Sequence, residues 1–207
     1  SALESVAMLE ACSFEDIVLS IKASEPMLNL EAYRLLAEKT DYPLHIGVTE
    51  AGTLREGMIR SAVGIGALLA EGLGDTLRVS LTADPVEEVR TAYSILQALD
   101  MRHRGPHLIS CPTCGRTEVD LERIAAEVET ALSSFTGPLR VAVMGCAVNG
   151  PGEARQADVG LAGGKGEFLI FRKGEVLRKV PEENAVAALL DEIRAFCEER
   201  DRGKPRD

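Results

Sequence analysis

The sequence has 207 residues, of which 45% are hydrophobic and 27% charged, a composition typical of a globular protein with a hydrophobic core. Its formal net charge is −10, it contains no tryptophan, and only 4% of its residues are aromatic. Because nucleic-acid binding requires a basic surface and often uses aromatic stacking, we expect no nucleic-acid partner. The sequence has no apolar run long enough to span a bilayer, so we expect no membrane span either.

The first residues, SALESVAMLEACS, are too polar for a secretory signal, and the five cysteines are an odd number. Both observations favour a cytoplasmic protein whose thiols are free, bind metal or act in catalysis. The chain opens on serine within a helical pattern, which indicates a piece of a longer protein. Cys12 and Cys197 fall in helical patterns, and we interpret both as packing residues.

From Asp16 onward, short apolar strands alternate with helical patterns at a period of about 30 residues, the size of a βα unit. The four predicted strands lie in DIVLSIKAS, PLHIGVTEAG, DTLRVSLTADP and HLIS. Strands that are apolar almost throughout are typical of parallel sheets covered by helices. Four units in series predict an α/β fold, either half of a (β/α)8 barrel or a small open parallel sheet.

The pattern changes after Gly115. A helix is predicted from Thr117 to Phe135, with Thr117 in its N-terminal box, and the strand LRVAVMG follows it. Three short strands separated by glycines and a closing amphipathic helix complete the chain. We therefore predict a barrel-type domain over residues 1–108 and a smaller α+β domain over residues 109–207.

Three cysteines carry the strongest chemical signal in the sequence. Cys111 and Cys114 lie two residues apart in CPTCG, and Cys146 directly follows a buried-type strand in GCAVNGPGE. Glycines in both loops allow backbone amides to approach a bound cluster or anion. Glu153, at the end of the second loop, is the natural candidate for an oxygen ligand.

Spacing alone leaves several interpretations of these cysteines open. A redox dithiol leaves Cys146 without a role. A structural zinc site lacks a fourth Cys or His at the usual spacing, because all three histidines lie upstream. An iron–sulfur cluster accepts three thiolates and an unusual fourth ligand, and this is the interpretation we favour. A zinc-stapled interaction module and an iron–sulfur electron carrier remain alternative functions.

The two cysteine loops, together with SIKAS, HIGVTEAG and GDTLRVSLTADPVEEV upstream, resemble the 4-hydroxy-3-methylbut-2-enyl diphosphate synthases, the iron–sulfur enzymes of the methylerythritol phosphate pathway. The resemblance covers nearly the whole chain. It implies the C-terminal half of a (β/α)8 barrel followed by an iron–sulfur domain. It also implies a 4Fe–4S cluster held by Cys111, Cys114, Cys146 and Glu153, and reduced by ferredoxin or flavodoxin.

The reaction that this resemblance implies is the reductive ring opening of a small cyclic diphosphate, 2-C-methyl-D-erythritol 2,4-cyclodiphosphate. Lys22, Arg78 and Ser80 match substrate-binding positions of the family, and Glu50 matches a glutamate proposed there for proton transfer. Asn149, beside the cluster loop, is a further candidate for substrate binding. We interpret His45 as an interior strand residue rather than as a catalytic group.

The resemblance also implies an N-terminal half of the barrel that this chain lacks. In the family the active site forms between the barrel of one subunit and the cluster domain of its partner, so a homodimer is expected. A chain without the missing half is expected to bind a cluster yet to fail to turn over alone.

Overall fold

The computed structural model describes residues 1–147, 152 and 154–202. The chain divides into two compact units, Ser1–His103 and Arg104–Asp207, and each unit has a hydrophobic core of its own. None of the described helices is long and apolar enough to cross a lipid bilayer.

The first unit alternates strands and helices along the chain. Its helices are α1 (Ala2–Ala11), α2 (Pro26–Ala37), α3 (Leu54–Ala70) and α4 (Pro85–Ala98), and its strands are β1 (His45–Gly47) and β2 (Thr76–Arg78). β1 and β2 are parallel. Residues 17–23 precede α2, and we call them the first segment. Within this segment Leu19 forms a parallel bridge with Leu44. Residues 1–103 are all described, and they contain three strand–helix repeats.

The first segment, β1 and β2 each alternate between apolar and polar side chains. Because successive side chains point to opposite sides of a sheet, this alternation separates an apolar face from a polar one. Leu19, Ile46 and Val79 are buried and join the core under the helices. The residues between them carry polar or small side chains: Ser20, Lys22, His45, Gly47, Thr76, Arg78 and Ser80. The helices therefore cover one face, and the other face is available for chemistry.

Two side chains of α2 join the first segment to β1 beyond the Leu19 bridge. The Tyr33 hydroxyl accepts a hydrogen bond from the Ile21 N–H (3.1 Å) and donates one to the His45 carbonyl (2.7 Å). The Asn29 side chain accepts from the Ala23 N–H (2.9 Å) and donates to the Gly47 carbonyl (2.6 Å). Both side chains are fully buried. They satisfy backbone groups that a direct strand ladder would otherwise pair.

The second unit is a mixed sheet with helices. Its strands are β3 (Pro106–Ser110), β4 (Leu139–Met144), β5 (Val159–Gly164), β6 (Glu167–Arg172) and β7 (Glu175–Pro181), and its helices are α5 (Leu121–Leu132) and α6 (Ala185–Arg202). Strand order in space follows the sequence. β3, β4 and β5 are parallel neighbours, whereas β6 and β7 continue the sheet antiparallel.

The apolar stripes of α5 and α6 pack on one face of this sheet. Ile124, Val128, Leu189 and Ile193 are buried there against strand residues such as Val141. A smaller apolar cluster covers the opposite face and includes Ala142, Met144, Ala154, Ala157, Ala162 and Phe171. The central strands β4 and β5 are therefore buried on both faces, which explains why they are apolar almost throughout.

The structure corrects the assignment of the fourth strand. Residues 107–110 were expected to end the barrel-type repeat, but β3 pairs with β4 in the sheet of the second unit. The first unit thus has three strand–helix repeats within residues 1–103 rather than four. The expected boundary between residues 108 and 109 falls inside β3. A short apolar strand looks the same in either sheet, and only its partner decides which one it joins.

Two smaller expectations are also wrong. Cys12 is exposed at the end of α1 rather than packed, whereas Cys197 does contact the core of the second unit. The helix expected from Thr117 begins at Leu121, because the Asp120 side chain accepts from the Arg123 N–H and forms the N-cap. Thr117 contacts the cysteine loop instead.

Candidate functional site

The polar face of the first sheet carries a group of cations. Lys22 lies in the first segment and Arg78 ends β2, with the backbone of Gly47 between them. A Cβ atom on residue 47 would lie 3.0 Å from Lys22 Cε and 2.4 Å from the Arg78 carbonyl oxygen. The aliphatic stem of Lys22 therefore crosses β1 at a place where only a glycine leaves room. The Lys22 ammonium also donates a hydrogen bond to Ser20 Oγ.

The electrostatics of this face favour an anion. Partial burial lowers the pKa of the Lys22 ammonium, and the neighbouring Arg78 guanidinium lowers that pKa further. Burial also lowers the pKa of His45, and the positive charges of Lys22 and Arg78 add to the effect. An anion bound among these groups would relieve their mutual repulsion. The protein as a whole is acidic, so this positive group is a local feature that composition alone does not reveal.

The other predicted residues of this face lie past the strand ends. Ser80 is half-buried, two residues beyond the end of β2. Glu50 is exposed, three residues beyond the end of β1, and its backbone has a φ of 52°. That left-handed conformation is uncommon for a residue other than glycine and often marks a functional position. Both residues follow carboxyl ends of parallel strands, where α/β proteins place their ligand sites.

The cysteine loops of the second unit also follow neighbouring strand ends. Cys111 directly follows β3 and Cys146 lies just beyond β4, and these two strands are parallel with Ser110 opposite Val143. The Gly145 N–H donates a hydrogen bond to Cys111 Sγ (3.2 Å). Sheet register thus brings the two loops together, although thirty-four residues separate Cys111 from Gly145 in sequence.

Thr117 fixes the loop that carries Cys114. Its Oγ1 accepts a hydrogen bond from the Cys114 N–H (3.0 Å) and lies 3.9 Å from Cys114 Sγ, to which the hydroxyl can donate. A hydrogen bond from the Arg116 backbone lowers the pKa of the exposed Cys114 thiol, and the Thr117 hydroxyl lowers it further. The loop therefore favours the thiolate, which is the form that binds metal.

The donor set and its surroundings fit an iron–sulfur cluster in their chemistry. Three thiols lie on two adjoining loops, with an N–H donor already directed at one sulfur. Among the described residues, no three side chains of His, Cys, Asp or Glu lie close enough to hold one metal ion. Cys111, Cys114 and Cys146 would hold a cluster, which would supply single electrons at this place. Asn149 and Glu153, which complete the predicted site, lie outside the described residues.

Sequence reasoning missed some residues of these sites. His45 was interpreted as an interior residue, yet it lies on the polar face with its Nδ1 hydrogen-bonded to Thr76 Oγ1 (2.8 Å). Its two-residue spacing from Gly47 on β1 could have indicated that position. Thr117 was assigned to a helix cap, and no local pattern distinguishes that role from its contact with Cys114. The roles of Asn29 and Tyr33 depend on where α2 packs, which sequence periodicity does not specify.

The fold and these donor groups define a mixed α/β protein that combines a cationic site at strand ends with a set of loop thiols. Residues 1–93 match the GcpE TIM-barrel domain, and residues 107–195 match the GcpE protein C-terminal domain. The chain belongs to the GcpE family, and the two matches together cover most of both units.

Curated relatives carry the same description, "4-hydroxy-3-methylbut-2-en-1-yl diphosphate synthase (flavodoxin)". The relative from Geobacter sulfurreducens is 56% identical over 200 residues, which are 97% of this chain and 57% of the relative. The one from Clostridium perfringens is 60% identical over 190 residues, 92% of this chain and 54% of the relative. The one from Geobacillus kaustophilus is 55% identical over 199 residues, which are 96% of this chain and 53% of the relative. The chain spans about half the length of the curated relatives it matches.

Proposed function

We propose that the chain takes part in the reductive ring opening of 2-C-methyl-D-erythritol 2,4-cyclodiphosphate to 4-hydroxy-3-methylbut-2-enyl diphosphate. The names of its relatives give the product, and the resemblance found in the sequence implies the substrate. The observation that carries the proposal is the extent of the match to these synthases, which spans both units. The match therefore includes the cationic group around Lys22 as well as the three loop cysteines. In this proposal the first unit is part of a barrel and the second is an iron–sulfur domain.

Lys22 and Arg78 are proposed to bind the diphosphate. A guanidinium can hold phosphate oxygens through two parallel hydrogen bonds, and an ammonium adds a compact positive charge. Ser80, two residues beyond Arg78, is proposed to donate a hydroxyl hydrogen bond to the same group. Glu50 is proposed to deliver a proton to the substrate, and its exposed position after β1 leaves it accessible. Asn149 is proposed as a further contact beside the cluster loop.

Cys111, Cys114, Cys146 and Glu153 are proposed to hold a 4Fe–4S cluster, which when bound supplies the electrons for breaking the C–O bond one at a time. The N–H of Gly145 donates a hydrogen bond to Cys111 Sγ, and hydrogen bonds to sulfur are one of the factors that set a cluster's potential. A carboxylate at residue 153 binds iron less firmly than a thiolate would, which suits a position where substrate oxygen enters.

The overall reaction needs two electrons and two protons and releases water. Flavodoxin is the proposed donor because the relatives' names specify it, and ferredoxin is the alternative carried over from the resemblance. A homodimer is proposed from the resemblance alone. All five cysteines are free thiols, which fits the reducing cytoplasm as the proposed compartment.

Calorimetry with the cyclodiphosphate tests the binding part of this proposal. We expect the chain to bind the substrate and Lys22→Ala to bind it at least about tenfold more weakly, since the variant loses a charge-assisted contact. Lys39→Ala is the matched control, because Lys39 is exposed and lies just past α2. Equal affinity in the two variants would contradict the assignment of Lys22.

Addition of the cyclodiphosphate to the reduced, reconstituted chain tests the chemistry. We expect the substrate to oxidise the cluster. The oxidation is measured as loss of the electron paramagnetic resonance signal of the reduced cluster. An electron carrier without its own substrate would keep that signal until a protein acceptor is added. A zinc-stapled interaction module would contain one zinc and no sulfide.

A further inference from the structure

We propose that His45 is a proton-linked ligand of the anion site formed by Lys22 and Arg78. Its imidazole takes up a proton from solvent when a diphosphate group binds. The inference rests on the proposed function, because it assigns a further residue to the same anion site.

Strand register places His45 on the face that carries the cations. His45 and Gly47 are two residues apart on β1 and therefore share a face. The Lys22 stem crosses that face at Gly47, and Arg78 lies opposite Gly47 on β2. His45 itself lies opposite Thr76, two residues before Arg78. A diphosphate held between Lys22 and Arg78 would therefore lie beside Gly47, and the imidazole of His45 is on the same face two residues away.

The imidazole is held in one orientation. Its Nδ1 is hydrogen-bonded to Thr76 Oγ1 (2.8 Å), and its backbone carbonyl accepts from the buried Tyr33 hydroxyl (2.7 Å). Within the described part of the chain, Nε2 has no hydrogen-bond partner. A ring fixed through Nδ1 leaves Nε2 as the atom that can donate to a bound anion once it carries a proton.

The charges around His45 favour the neutral ring until an anion arrives. The charged and titratable groups that face it or adjoin its strand are Lys22 from the first segment, Arg78 from β2, Tyr33 from α2 and Asp75, whose carboxylate accepts from the Leu44 N–H (2.7 Å). Burial and the two cations lower the pKa of His45. A bound cyclic diphosphate carries two negative charges and balances the two cations, and the pyrophosphate probe carries more than two. Either anion therefore removes the repulsion that the two cations exert on a protonated ring.

Linkage gives the size of the effect. If anion binding favours the protonated ring, protonation of the ring favours anion binding by the same factor. An opposite charge close to a titratable group changes its protonation equilibrium by roughly tenfold or more. We therefore expect protonation of His45 to contribute about a tenfold gain in pyrophosphate affinity, measured as the difference in pH dependence between the wild type and His45→Gln.

The test uses proton NMR of the chain with inorganic pyrophosphate as the probe. The sequence contains three histidines, so three ring signals are expected, and His45→Gln identifies the signal of His45 by its loss. We expect pyrophosphate to move the titration of the His45 signal to higher pH and to leave that of His103 in place. His103 is exposed and paired with Asp100 (2.8 Å), which makes it an internal control.

Calorimetry supplies the second readout. Pyrophosphate titrates by itself, but its own protonation affects the wild-type chain and His45→Gln equally. We expect the affinity to fall more steeply with rising pH in the wild type than in His45→Gln, whereas His103→Gln behaves like the wild type. These results support the proposal. If His45→Gln folds poorly, His103→Gln and His107→Gln identify the other two ring signals, and the remaining wild-type signal is that of His45.

Three outcomes separate the inference from the proposed function. Lys22-dependent binding of pyrophosphate with no response of His45 overturns the inference and leaves the anion site intact. Absence of pyrophosphate binding overturns both the anion site and the inference. A His45 response in a chain whose reduced cluster is not oxidised by the cyclodiphosphate supports the inference and contradicts the proposed reaction.

Discussion

Gly47 lies directly opposite Arg78 across two parallel strands, and a Cβ atom on residue 47 would stand 2.4 Å from the Arg78 carbonyl oxygen. The same atom would meet the stem of Lys22 at 3.0 Å. The absence of a side chain at this one residue therefore permits both the pairing of β1 with β2 and the passage of Lys22 across the sheet. Stability and the proposed anion binding therefore depend on the same glycine.

Gly47→Ala is expected to destabilise the first unit by about 1–3 kcal/mol, the cost of forcing an extra carbon into a packed site. All three tyrosines lie within residues 1–103 and the chain has no tryptophan, so tyrosine fluorescence during urea unfolding reports on this unit. The same variant should bind pyrophosphate more weakly, because Lys22 must move.

Gly66→Ala is the matched control for Gly47→Ala. Gly66 lies within α3, and a Cβ atom there meets nothing within 4 Å. We expect this variant to raise the free energy of unfolding by about 0.5–1 kcal/mol, because alanine favours a helix. Equal stability of the two variants would contradict the close strand approach.

Tyr33→Phe tests the link between α2 and the two strands. The variant leaves the Ile21 N–H and the His45 carbonyl without their shared partner, and we expect a loss of about 1–3 kcal/mol in the unfolding free energy. The hydroxyl of Tyr42 donates to the exposed Glu10 carboxylate (3.0 Å), so Tyr42→Phe should change stability much less. Similar losses in the two variants would show that the bridging role of Tyr33 is wrong.

The Cys114 thiol should ionise at lower pH in the folded chain than in the unfolded chain. The Arg116 backbone and the Thr117 hydroxyl stabilise its thiolate and lower its pKa. The stabilisation is therefore present above the unfolded pKa and is lost as the pH falls through the folded pKa. Alkylation by iodoacetamide of the metal-free chain, followed by peptide mass spectrometry, measures this shift.

We expect the rate of Cys114 alkylation to rise at lower pH in native buffer than in urea. Thr117→Val should move the native profile part of the way toward the urea profile, since the hydroxyl is one of two donors. Thr117→Ser keeps the hydroxyl and should preserve the native profile. Coincident profiles in native buffer and urea would contradict this description of the loop.

Glu192 connects α6 to the antiparallel part of the second sheet. Its nearly buried carboxylate pairs with Arg172 (2.7 Å) and Arg178 (2.8 Å), whereas Glu199 pairs with Arg172 from an exposed position. Glu192→Gln should destabilise the unit by about 1–3 kcal/mol, less than a fully buried pair because the arginines are partly exposed. Amide hydrogen exchange of β6 measures the effect. Glu199→Gln should have a smaller effect, and the reverse order would contradict this assignment.

Much of the fold followed from periodicity in the sequence. The helical pattern expected after the strand in PLHIGVTEAG corresponds to α3, and the strand expected in LRVAVMG corresponds to β4. Strand lengths were overestimated, because a buried apolar run such as DIVLSIKAS contains only one bridged residue, Leu19, within the first segment. Strand pairing depends on tertiary contacts, and no local sequence pattern encodes such contacts. Here the side chains of Asn29 and Tyr33 bond to the backbones of both the first segment and β1.

The candidate sites were predictable to different degrees. Lys22 and Arg78 were assigned through a family resemblance, and the structure places them on one face with coupled charges. His45 was considered and left out of the site because an imidazole within an apolar strand is usually an interior residue. Its neighbours Thr76 and Lys22 come from other segments, so only the strand register could bring them together.

Anaerobic reconstitution with iron and sulfide tests the central claim most directly. The account predicts visible absorption and about four iron and four sulfide per chain. Replacement of Cys111, Cys114 or Cys146 by serine should abolish the absorption, Glu153→Ala should weaken it, and Cys12→Ser and Cys197→Ser should leave it unchanged. A chain that stays colourless, or that loses absorption equally in the Cys12 and Cys197 variants, would contradict the iron–sulfur assignment.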